Sequence, residues 1–140
     1  MIEMSDADTH RLVPEEILNK GRFELIDQVF APDYVEHVMI PGYSQDREGL
    51  RQFFTAYLAA FPDLDCAITN EVNEGDRHVI HITATGTMTG EFMGMPPVNK
   101  KASWEEMHIS RMSGGQIVEH WGVVDQFGMM QQLGFIPTGP

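Results

Sequence analysis

The apolar positions of this chain change period near its middle. Leu50, Phe53, Phe54, Tyr57, Leu58 and Phe61 recur at helical spacing and predict a helix with one buried face. Phe61-Pro62-Asp63 ends it, because a residue before proline is pushed out of helical geometry. Upstream, Pro14-Glu15-Glu16 suits a helix's first turn, where proline's missing N–H costs nothing and carboxylates meet the positive dipole end. Gly21 ends that helix, and Phe23, Ile26, Val29 and Phe30 share one face of a second over residues 22–30.

Beyond residue 63 the period falls to two. Leu64, Cys66, Ile68 and Val72 alternate with polar residues, and Glu74-Gly75-Asp76 reads as a hairpin turn. "RHVIHITATGTMTG" is a β-rich segment, and "EFMGMPPVNKK" a loop. A strand over 103–112 and another from Gln116 to Val124 flank the turn Ser113-Gly114-Gly115. Gln126–Leu133 then reads as a closing helix ended by Gly134. Helices first and long meandering strands after predict a single α+β domain over 1–140, with N-terminal helices on one face of a curved sheet. Its ends, about 1–8 and 135–140, are expected to be flexible.

Nine basic against 21 acidic residues give a net charge of −12, a field that repels nucleic acid and anionic lipid. No run approaches the ~20 apolar residues of a membrane span. The acidic start is unlike a signal peptide, so a cytoplasmic location is expected. Cys66 is the sole cysteine, which excludes an internal disulfide and a thiolate-rich zinc site. The six histidines match no ligand spacing of known logic, and no metal or other cofactor is expected. His78 and His81 fall on opposite faces of their strand without an obvious partner, and His10 is assigned no role.

Asp125 stands where an apolar strand hands over to a helix. That position suits a helix N-cap, and equally a carboxylate that shares a strand face with Trp121 and Val123. A desolvated aspartate there would have its pKa raised toward neutrality, as a proton shuttle needs. Trp104, Glu106, His108 and Ser110 form one face of the preceding strand, a natural lining for a polar-floored pocket. His120 lies on the opposite face from Asp125 and reads as structural or interfacial.

"APDYVEH" at 31–37, "FPDL" at 61–64, "GTMTGEFMGMPP" at 86–97 and "GGQIVEHWGVVDQFGMMQQLG" at 114–134 together resemble the SnoaL-like polyketide cyclase family. The resemblance implies a cone-shaped α+β barrel, shared with scytalone dehydratase, ketosteroid isomerase and nuclear transport factor 2. It also implies cofactor-free, acid/base-catalysed aldol ring closure of a polyketide ester, with Asp125 as general acid/base and His108 beside it. Met88 departs from the histidine common in the family's "GTHTG" segment.

Trp121, Trp104, Glu106, His37, Met93 and Met95 are the expected substrate-binding residues, the methionines forming an adaptable flap over a bulky apolar or aromatic carbonyl ligand. The broad sheet suggests a homodimer or higher homo-oligomer. The same pocket would serve an isomerase, a dehydratase or an epoxide hydrolase. A non-catalytic ligand-binding or interaction module, with Asp125 merely capping, is the alternative of a different class.

Overall fold

Ser5 opens the first helix, α1 (Asp6–Leu12), through a capping box: its hydroxyl accepts from the Asp8 N–H and the Asp8 carboxylate accepts from the Ser5 N–H. The structure, a computed structural model, describes residues 4–139. The helix thus starts two turns before Pro14, and residues 6–8 are helical rather than a loose end. Residues 1–3 and 140, also expected to be flexible, lie outside the described residues. Pro14 falls in a widened π-turn, Val13–Leu18, that continues α1. Such a turn tolerates proline's missing donor where a regular α-helix would kink or break.

The second helix is shorter than its apolar face suggests. A 3₁₀ turn, Phe23–Leu25, leads into α2 (Ile26–Val29), and the chain becomes extended at Phe30 to form β1 (Phe30–Glu36). The α3 helix (Arg47–Ala60) follows the predicted stripe and is capped by Asp46, which accepts from the Gly49 N–H at 2.9 Å.

The remaining strands are β2 (Asp65–Glu74), β3 (Arg77–Thr87), β4 (Lys101–Ser113) and β5 (Gln116–Val124), followed by α4 (Gln126–Leu133). They form one curved sheet in the order β1-β5-β4-β3-β2, antiparallel except where β1 joins β5 in parallel. Pro32 is tolerated because β1 is an edge strand. The fold is the expected α+β architecture, with helices packed on a highly curved, mostly antiparallel sheet. Among the described residues no helix is long and apolar enough to cross a membrane.

One irregularity sets the orientation of the site. Met112 pairs with Ile117, but the next pair is Arg111 with Glu119, so Val118 is an extra residue on β5. This β-bulge changes which alternate residues of β5 face inward. Ile117 is fully buried, yet beyond the bulge it is the even-numbered His120, Gly122 and Val124 that reach the interior, opposite Ser110, His108 and Glu106. Trp121 and Val123 are turned to the outer face, opposite Ile109 and Met107.

Candidate active site

Between the sheet and the helices lies a cavity of about 310 Å³. Its walls are mostly apolar: Phe53, Phe54 and Leu50 from α3, Ile80 and Ile82 from β3, and Val38–Pro41 after β1. Met93 stands at the same cavity, at the tip of a tight turn. Phe92 and Met95 exchange backbone hydrogen bonds across it, and Met93 and Gly94 both have positive φ, 51° and 81°. That is the pattern of a type I′ turn. Met95, by contrast, packs partly buried against the core.

The polar groups of the cavity form a line. The Glu106 carboxylate accepts from Tyr57 Oη and Trp104 Nε1, both at 2.9 Å, and its Oε1 lies 2.8 Å from His108 Nε2. His108 Nδ1 meets His120 Nε2 at 2.9 Å, and His120 Nδ1 meets Glu36 Oε2 at 2.6 Å. The two imidazoles stack, with centroids 5.1 Å apart. Gly122 makes this line possible: a Cβ at that position would stand 2.7 Å from His108 Nδ1.

The line Glu36–His120–His108–Glu106 has three links. Three hydrogen bonds need three protons, whereas two neutral imidazoles carry two. Hydrogen bonds at all three links would therefore take one proton beyond those of two neutral rings. Burial alone would push the Glu106 carboxyl up, but the bonds and charge from His108, with Trp104 and Tyr57, outweigh it and hold Glu106 below the usual carboxylate range. Burial pushes His120 down, only partly offset by Glu36. Burial and the neighbouring Glu106 charge keep Tyr57 firmly protonated as a donor.

A second line runs beneath the first. Ser110 Oγ is 2.9 Å from His10 Nε2, His10 Nδ1 is 2.9 Å from His78 Nδ1, and His78 Nε2 is 3.2 Å from Glu71. Here two neutral rings and one hydroxyl supply three protons for three links, so no extra proton is needed. Burial, reinforced by His78, His108 and His120, holds His10 far below the ordinary histidine range, at about 2. This line fastens α1 to β3 and β4.

Of the expected site residues, the cavity brings together His108, Glu106 and Met93. The structure places Asp125 at the N-cap of α4. It is exposed, its Oδ1 accepts from the Gly128 N–H at 2.9 Å, and it is absent from the cavity wall. The β5 strand ends at Val124, and Asp125, with ψ at 72°, has left extended geometry.

Trp121 lies on the outer face, where it stacks on His37 at 4.8 Å beneath the Arg77 guanidinium. His37 itself is exposed and paired with Glu119, not with the cavity. Trp104 is buried in the core behind Glu106 rather than against a ligand, and Met95 likewise does not line the cavity. Met88 is fully buried and away from the wall, so the departure from the family's histidine lies in the core.

The residues that sequence reasoning missed are His120, Glu36, Tyr57 and the pair His10–His78. His120 was hidden by the bulge, which no turn residue announces. His10 and His78 are 68 residues apart and meet only through the docking of α1.

The pattern of the SnoaL-like polyketide cyclase family matches residues 9–133. The chain is 26% identical over 118 residues to nogalonic acid methyl ester cyclase of Streptomyces nogalater, covering 83% of this chain and 88% of that one. The solved structure of IdmH, a candidate polyketide cyclase from Streptomyces antibioticus, superposes with a TM-score of 0.81 at 33% identity, covering 94% of this chain and 99% of that one. AclR of Streptomyces galilaeus, a candidate hydroxylase, also gives 0.81, at 30% identity, over 97% of this chain and 87% of that one. Sequence pattern and fold agree: the chain belongs to the SnoaL-like polyketide cyclase family.

Proposed function

We propose that this protein is a cofactor-independent cyclase that closes a ring of a bulky, mostly apolar carbonyl compound by intramolecular aldol condensation. The observation that carries this reading is the apolar cavity with the polar strip Glu36–His120–His108–Glu106 on its wall. An aldol closure removes a proton from carbon and returns one to the new alkoxide, so the site must accept and donate without net loss. A hydrogen-bonded line of carboxylates and imidazoles can do both. Apolar walls position the substrate and exclude water, which leaves proton transfer as the main chemical task. His108, at the centre of the strip, joins Glu106 to His120 and is the residue whose loss breaks the strip. Asp125 is assigned the helix cap.

Nogalonic acid methyl ester, the substrate in the Streptomyces nogalater relative's name, is the first compound to test. With it, His108→Gln is expected to lose about 100-fold or more in kcat, the usual weight of a positioned acid/base group. Asp125→Asn, which preserves the cap, is expected to stay within about twofold of the parent protein. Full activity in His108→Gln, or loss of activity in Asp125→Asn with folding intact, would overturn the assignment.

Self-association belongs to this reading. The outer sheet face leaves Val123 70%, Val35 49% and Met107 44% exposed, apolar surface that a homodimer would cover. Sedimentation of Val123→Glu is expected to show monomer where the parent protein sediments as dimer.

A further inference from the structure

We infer that Glu36 is the catalytic base, the group that takes the proton from substrate carbon; this rests on the cyclase reading above. Among the described residues of the cavity wall, both nitrogens of His108, of His120 and of His10 are already engaged with protein partners. Glu106 accepts three bonds and is 6% exposed, so it offers no oxygen to a ligand. Glu36 differs. Its Oε2 takes the bonds from His120 Nδ1 and the Val38 N–H, while Oε1 accepts none. The side chain lies on the cavity wall and keeps about a tenth of its surface open.

The chemistry follows from that geometry. The substrate C–H bond breaks and its proton goes to Glu36 Oε1, while the electron pair moves onto the adjacent carbonyl as an enolate. The enolate carbon then bonds to the second carbonyl, whose oxygen becomes an alkoxide and takes the proton back from the Glu36 carboxylic acid. The His120 donor holds the carboxylate in place throughout. His108, one ring further on, holds the His120 ring in place through its Nδ1 contact. In this scheme His108 acts on substrate through His120 and Glu36, which makes it a positioning residue. The expected loss in His108→Gln is unchanged.

The test separates proton abstraction from ring closure by using 2-tetralone, a flat bicyclic ketone that has an exchangeable α-proton and cannot cyclise. Deuterium uptake from heavy water is followed by proton NMR with the parent protein, Glu36→Gln and Glu36→Asp. The parent protein is expected to accelerate exchange over buffer, Glu36→Gln to lose about 100-fold of that acceleration, and Glu36→Asp to recover part of it. Glutamine keeps an acceptor for His120, and ligand affinity by fluorescence titration, expected within about threefold of the parent, shows that the cavity is intact. Undiminished exchange in Glu36→Gln, or none above buffer with the parent protein, overturns the assignment. Exchange that depends on Glu36, alongside no turnover of nogalonic acid methyl ester, leaves Glu36 as the base and overturns only the cyclase reading.

Discussion

At the scale of single residues, the site depends on an atom that is missing. Gly122 faces His108 across the β4–β5 ladder, and a methyl group there would fall 2.7 Å from His108 Nδ1, inside contact distance. Gly122→Ala is therefore expected to displace the His108 ring from its contact with His120 and to break the Glu36–His120–His108–Glu106 line at its centre. We expect a stability loss of about 1–3 kcal/mol by urea unfolding, the usual range for overpacking. Turnover should fall together with the loss of the downfield His108–His120 proton signal in NMR spectra. Asp125 is the opposite case, a residue with conspicuous chemistry and a local task. Replacing it with alanine removes the cap on α4 and is expected to cost about 1 kcal/mol. A larger loss of activity than of stability in that variant would contradict its role as a cap.

At the scale of elements, α3 and β4 are joined by Tyr57 and Glu106, and that joint is where packing meets the site. Tyr57→Phe leaves the ring stack intact but takes one of three donors from a buried carboxylate. The expected cost is about 1–3 kcal/mol, with an unchanged denaturant slope because the fold persists. What the sequence reveals also divides along elements. The α3 stripe, the β2–β5 meander and α4 were legible because long periodic segments report their own burial. The polar face of β4 was legible for the same reason, and it yielded His108 and Glu106. The inner face of β5 was not. A bulge at Val118 shifts the strand's phase without a glycine or proline to mark it, so Trp121 and Asp125 read as inward and His120 as outward. The β1 strand escaped notice because Ala31-Pro32-Asp33 shows no alternation, and with it went Glu36, placed only by parallel pairing with β5.

At the scale of the whole molecule, the buried histidines make stability depend on pH. His10 is neutral in the folded protein because burial, His78, His108 and His120 hold its pKa near 2, against 6.5 for a free histidine. His78 and His120 are lowered too, again chiefly by burial. In the unfolded chain these rings take up protons once the pH drops below 6.5, and in the native state His10 does not. The unfolded state then binds more protons, and linkage requires stability to fall as the pH falls. His10's contribution is therefore complete above pH 6.5 and erodes by about 1.4 kcal/mol per pH unit below it, an upper bound for one fully suppressed proton. Below the ordinary carboxylate range Glu106 adds to the loss, because its lowered pKa means that the unfolded chain protonates there first. Urea titrations from pH 7.5 to pH 4.5 are expected to show this decline, steepest for the parent protein. His10→Asn offers neutral hydrogen-bonding groups toward Ser110 and His78 with nothing to titrate. It is expected to be less stable at pH 7.5 but to lose stability more slowly on acidification, by about one proton's worth of slope. Parallel curves for the two proteins would mean that His10 already shares its proton with the folded state, and the neutral Ser110–His10–His78–Glu71 line would have to be redrawn with a charged ring.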